Sequence, residues 1–153
     1  MLIFGIDPGF SGAWGAITHT GQYHTVGDML NNGVHIDTES VWAEILLARD
    51  GQDCEVILEH VGSMPKQGVA STFKFGVAFG GVIAIAQRFR APWGMVRPQV
   101  WKKAMGLSSD KAESLAMARD LWPAAPLERV KDNGRAEALL LAEYWRRQLL
   151  GVK

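Results

Sequence analysis

Cysteine is almost missing from this sequence. Cys54 stands alone among 153 residues, which excludes an internal disulfide and any thiolate zinc cluster. It begins an apolar run and reads as a small buried hydrophobe. Net charge is missing as well, with 16 Lys and Arg against 16 Asp and Glu, so overall charge names no partner. No run of eighteen uninterrupted apolar residues occurs, which argues against a membrane span. The first apolar run has no basic flank and is broken by Asp7 and glycines, unlike a signal peptide. His19, His24, His35 and His60 lack zinc-ligand spacing. What is present suits one folded domain over residues 1–153: 48% of the chain is hydrophobic and 21% charged, enough to bury a real core.

The balanced charge hides an asymmetry. Residues 1–70 hold nine acids and two Lys or Arg, whereas residues 71–153 hold seven acids and fourteen Lys or Arg. That split suits a polyanion met by the basic part while acids gather cations elsewhere, and equally suits attraction between two halves of one domain.

The first strand and its exit turn, Leu2 to Ala13, organise the rest. An apolar run ends in Asp7, and Pro8-Gly9 is a strong turn signal. Residues 13–18 and 23–27 read as two further strands, giving three antiparallel strands at the start. A helix follows from Thr38 to Arg49, with Asp37 or Thr38 as its cap. Cys54, Val56, Ile57 and Leu58 form a buried strand delivering a second acid, Glu59. The helix between the two strands permits a parallel pair with Asp7 beside Glu59. A long apolar helix is expected from Ala70 to Arg88, with Gly76 and Gly80 on a small-residue face that another element could approach. It reads either as packed on the sheet on one side and on a second subunit on the other, or as a central core helix. A short strand at 93–96, a helix opened by Pro98, and a helix ending before Pro123 come next. The last helix begins near 131–137, and Asn133 and Glu137, four apart, share one of its faces.

Taken alone, Asp7 is either a turn cap or a reactive acid, and Glu59 either a cap or a partner to it. Asp7, Glu59 and Glu137, with Asp132 or Asn133 beside them, form an oxygen-only donor set suited to Mg²⁺ or Mn²⁺. Two such ions could clamp the attacking and leaving oxygens of a phosphodiester. Arg97, Trp101, Lys102, Lys103 and Lys111 offer phosphate and stacking contacts, although Trp101 could equally fill the core.

The ordered segments Ile6-Asp7-Pro8-Gly9-Phe10-Ser11-Gly12-Ala13, Leu58-Glu59, Met64 to Ser71, Trp101-Lys102-Lys103 and Gly134-Arg135-Ala136-Glu137-Ala138-Leu139-Leu140 resemble the RuvC-type Holliday junction resolvases, and most of all the bacteriophage and chloroplast branch. The resemblance covers nearly the whole chain. It implies an α/β, ribonuclease-H-like fold with a mixed five-stranded sheet and flanking helices. It further implies a homodimer cutting opposed strands of a four-way DNA junction with Mg²⁺ or Mn²⁺, in a phage-infected or bacterial cytoplasm rather than an organelle. Asp7, Glu59 and Glu137 take the metal-ligand and catalytic positions. The fourth position falls on Asn133, where Asp or His is expected. An amide oxygen can coordinate, but it brings no charge and no comparable proton acceptor. The resemblance therefore implies an enzyme weakened or silenced at Asn133 unless Asp132 substitutes. It assigns Lys66, Gln67, Ser71, Trp101, Lys102, Lys103, Lys111 and Arg135 to DNA. A ribonuclease-H-like nuclease for other nucleic acids and a non-catalytic junction binder are the alternatives, with a sugar-kinase-like or actin-like phosphate site behind them.

Overall fold

A computed structural model describes residues 1–62 and 68–152. Five strands form one sheet: β1 (Leu2–Asp7), β2 (Ala13–Thr18), β3 (Tyr23–Asp28), β4 (Cys54–Glu59) and β5 (Trp93–Val96), in the order β3-β2-β1-β4-β5. The first three are antiparallel neighbours, while β1, β4 and β5 run parallel. Because Ile6 lies opposite Leu58 in the β1–β4 register, Asp7 and Glu59 leave the sheet side by side. The expected mixed sheet and its parallel acid-bearing pair are both present. Gly9 takes φ +122° in the exit turn, a conformation that L side chains rarely adopt.

Five helices flank the sheet: α1 (Thr38–Arg49), α2 (Val69–Arg88), α3 (Pro98–Ala104), α4 (Lys111–Leu121) and α5 (Asn133–Leu150). Asp37 caps α1 by accepting from the Ser40 amide, and Asp110 caps α4 by accepting from that of Ala112. One apolar cluster joins Leu2, Phe4, Ile6, Val56 and Leu58 to α1 and α2. The other joins Ile3, Ile17 and Ile57 to Trp101, α4 and α5. Alternate residues of β1 thus serve opposite faces, as the two-residue period of a strand requires. Cys54 is buried in the first cluster, as expected.

Helix α5 lies directly on β1 and β2. A Cβ on Gly5 would overlap the Ala138 carbonyl oxygen, and one on Gly15 would come within 2.9 Å of Leu139. The absence of side chains at these two glycines is what lets α5 come so close. Gly12 is needed for another reason, since its Cβ would overlap the Asp7 carbonyl oxygen. The missing side chain there lets the turn close on itself.

Helix α2 is long and apolar enough, by length and composition, to cross a bilayer. This differs from the expectation drawn from uninterrupted runs, because Lys74 and the small polar residues of the first turn dilute the stretch only slightly. Ala78, Val82, Ile85 and Ala86 dock it on the sheet, while Val69 and Phe73 are 88% and 75% exposed.

Candidate metal and nucleic-acid site

The strand register and the first turns of α5 bring Asp7, Glu59 and Glu137 into one electrostatic neighbourhood. Glu59 and Glu137 are buried and Asp7 half-buried. The Asp7 carboxyl is held well above its usual range, first by desolvation and then by the negative charges of Glu59 and Glu137, with Lys111 and Lys102 pulling it back. Burial also raises Glu59, opposed by a hydrogen bond from Trp101, with the charge of Glu137 raising it further. Among the described residues, no hydrogen-bond donor reaches the Asp7 carboxylate.

The other two carboxylates have partners on α3. The Trp101 indole Nε1–H donates to Glu59 Oε1 at 2.8 Å. Lys102 Nζ donates to Glu137 Oε1 at 2.5 Å, within an ion pair whose side chains are only 13% and 7% exposed. The buried Ser114 hydroxyl of α4 approaches the same oxygen at 3.5 Å. Pro98 at the first helical position starts α3 immediately after β5, which brings residues 101 and 102 against the carboxylate end of the sheet. The start of α5 is held equally close: a Cβ on Gly134 would lie 2.7 Å from the Ser11 carbonyl oxygen and 3.5 Å from Asp7 Oδ2.

Several candidates from the sequence are placed otherwise. Asp132 does not join the carboxylates. It sits in a 3₁₀ turn (Val130–Asp132) before α5 and accepts from the Arg129 backbone N–H and guanidinium at 2.6–2.9 Å, which holds its carboxyl below the usual range against the cost of burial. Its neighbour Asn133 opens α5 half-buried, one turn before Glu137. Trp101 is fully buried, so it acts on Glu59 and not on a nucleic-acid base. Lys102 is turned inward to Glu137 and away from any backbone phosphate at the surface. Arg135 grips Asp28 at the end of β3 through two bonds of 2.6 and 2.8 Å and also donates to the Pro126 carbonyl, which makes it a strut between strand and helix. Ser71, Lys103 and Lys111 are exposed, with Lys111 near enough to influence both Asp7 and Glu59. Lys66 and Gln67 lie outside the described residues. Ser114 went unnoticed in the sequence, where its only signal was a small polar residue in the phase of Leu115 and Ala118.

Among the described residues, no three acidic, imidazole or thiol side chains form a ready-made metal cage. The donor chemistry nonetheless fits a hard divalent cation: every candidate ligand is an oxygen, and Asp7 is burdened by two neighbouring carboxylates. In this arrangement Trp101 and Lys102 occupy one oxygen each of Glu59 and Glu137.

The sheet order and the helix laid across its first strand define a ribonuclease-H-like fold. Among solved structures, a Thermus thermophilus RuvC in complex with Holliday junction substrate superposes with TM-score 0.68 at 19% identity, covering 99% of this chain and 97% of that one. A second Thermus thermophilus RuvC structure gives TM-score 0.63 at 21% identity, with 99% and 98% covered. No family model and no curated protein sequence matches the chain.

Proposed function

We propose that this chain is a Holliday junction resolvase, a structure-selective endodeoxyribonuclease that uses Mg²⁺ or Mn²⁺ to make paired, symmetric nicks in four-way DNA. One observation carries the reading: Asp7 and Glu59 leave adjacent parallel strands beside Glu137 of α5, in a fold shared end to end with a RuvC bound to junction DNA. Asp7, Glu59 and Glu137 would hold the divalent ions, with Asn133 offering a neutral amide oxygen. Bound ions would supply Lewis-acid stabilisation of the scissile phosphate and a more acidic water. The protein's own part is to hold the carboxylates in place through Trp101 and the packing of α5 on β1. Exposed Lys103 and Lys111 meet backbone phosphate, a contact that carries no sequence information.

The exposed face of α2 supports a homodimer. Val69, Phe73 and Val77 lie on it, and a Cβ on Gly76 or Gly80 would meet nothing within 4 Å, so a second helix can approach closely. Two sites so joined would serve two opposed strands. The motif resemblance as a whole points to the bacteriophage and chloroplast branch, acting in a phage-infected or bacterial cytoplasm.

The test is incubation of the protein with a mobile four-way junction, a linear duplex and an RNA/DNA hybrid in Mg²⁺ or Mn²⁺. Paired nicks in the junction alone support the proposal, and cleavage of the hybrid without junction nicks overturns it. A second reading, junction binding without cleavage, is favoured by one feature: Asn133 is neutral and Asp132 is committed to Arg129. Asn133→Asp and Asn133→His decide between the two. A gain in nicking at unchanged junction affinity makes residue 133 the limiting position.

A further inference from the structure

We propose that Lys102 is a resident counter-ion for Glu137, which a divalent cation must displace when it enters the site, whereas Trp101 keeps its hold on Glu59 throughout. The inference rests on the metal-nuclease reading above and adds to it a built-in competitor for the metal.

The two residues are consecutive on α3, yet their bonds differ in kind. Trp101 is fully buried and offers one fixed N–H to Glu59 Oε1, so the second carboxylate oxygen stays open to a ligand. An indole N–H has no charge to oppose a cation. Lys102 instead places a full positive charge 2.5 Å from Glu137 Oε1 in a pocket almost closed to water. Charges interact strongly in such surroundings, so an ammonium and a divalent ion on the same carboxylate repel. The lysine has a flexible four-carbon stem and three rotatable donors, and it can swing away where the indole cannot. Without a metal, the ion pair serves the fold. Three carboxylates converge, and a buried acid stripped of its cation is strongly destabilising.

Affinity for metal, measured without DNA or turnover, carries the test. Mn²⁺ is titrated into the full chain by calorimetry, with water-proton relaxation as a second readout. Lys102→Met is expected to bind Mn²⁺ about fivefold tighter or more, the low end of ordinary coupling between sites. Lys103→Met, an equal change of charge at the exposed neighbouring position, is expected to leave affinity unchanged. Trp101→Phe is expected to weaken binding, so adjacent substitutions move it in opposite directions. In the Glu137→Gln background, Lys102→Met should confer no gain, because its effect runs through that carboxylate. Equal or weaker binding by Lys102→Met overturns the proposal. So does the same gain with Lys103→Met or in the Glu137→Gln background, either of which would mean long-range charge alone. Absence of Mn²⁺ binding by the wild type counts against the nuclease reading itself. Should Lys102→Met unfold without metal, Lys102→Gln, which retains a donor without charge, gives the same discrimination.

Discussion

Helices α2 and α5 are of similar length and both flank the sheet, but they use their residues in opposite ways. Helix α5 carries arginines and glutamates and looks the more polar, yet an unbroken run from Ala136 to Tyr144 is buried. Helix α2 is by far the more apolar and buries only Ala78, Val82, Ile85 and Ala86. The polar residues of α5 are absorbed by partners. Glu143 is held by Arg146 and Arg147, and Arg135 by Asp28. Among the described residues, Val69, Phe73 and Val77 on the outer face of α2 stay exposed. The amount of hydrophobic residue in a helix therefore does not report how deeply this chain buries it. An apolar face left open over several turns is more than scattered surface hydrophobes require.

The largest effect expected from that contrast lies on α5. Glu137→Gln should reduce the proposed junction cleavage by about 100- to 1,000-fold, the scale on which loss of one electrostatic contact to a developing charge is felt, while gel filtration shows an unchanged elution volume. Almost as large is the effect of filling the helix–strand contact. Gly5→Val should cost about 3 kcal/mol by overpacking, because its side chain would meet the Ala138 backbone. Differential scanning calorimetry would show this as a Tm lowered by roughly 6–12 °C for a chain of this size.

The matching substitution on α2 should leave the fold alone. Phe73→Glu, at a position 75% exposed, is expected to weaken self-association at least about tenfold, or 1.4 kcal/mol, in sedimentation equilibrium without lowering the Tm of the monomer. If that variant unfolded instead, α2 would be core like α5 and the contrast would fail.

The smallest effect is a gain. Asp7→Asn removes one of three mutually repelling carboxylates and should raise Tm by about 2–4 °C at neutral pH, the shift that ~1 kcal/mol produces. The sign with pH follows from the raised Asp7 carboxyl. Its proton is held more tightly in the folded chain than in the unfolded one, so ionisation costs stability as pH climbs above the ordinary carboxyl value of about 4. The advantage of Asp7→Asn should therefore vanish below that pH and grow above it. Saturating Mg²⁺ should reverse the order by stabilising the wild type alone.

Much of this was legible in the residues. Acids that end apolar runs, Asp7 and Glu59, revealed the parallel pair, because a strand has few reasons to stop on a charge. Asn133 and Glu137 were placed on one face of α5 by helical spacing alone. The misreadings arose where one residue of phase decides direction. Asp132 and Asn133 are neighbours, but the 3₁₀ turn ends between them and sends Asp132 to Arg129. Trp101 was open between a stacking surface and a core filler, and its position on a seven-residue helix turns the ring into the core, against the DNA contact that the resemblance implied. Arg135 looked free because its partner, Asp28, is remote in sequence. The exposed face of α2 was foreseen as a small-residue stripe, but nothing in its composition separates a face awaiting a partner from one buried in the same chain.

The contact of α5 on β1 has one more consequence. Where Gly5 meets Ala138 there is no side chain between the helix and the strand, so the spacing of the two elements is set by main-chain atoms. Main chain has no rotamer to change, so this contact does not depend on a side-chain conformation. Asp7 and Glu137 are therefore mounted on two elements whose spacing is set by main-chain contact rather than by interdigitated side chains.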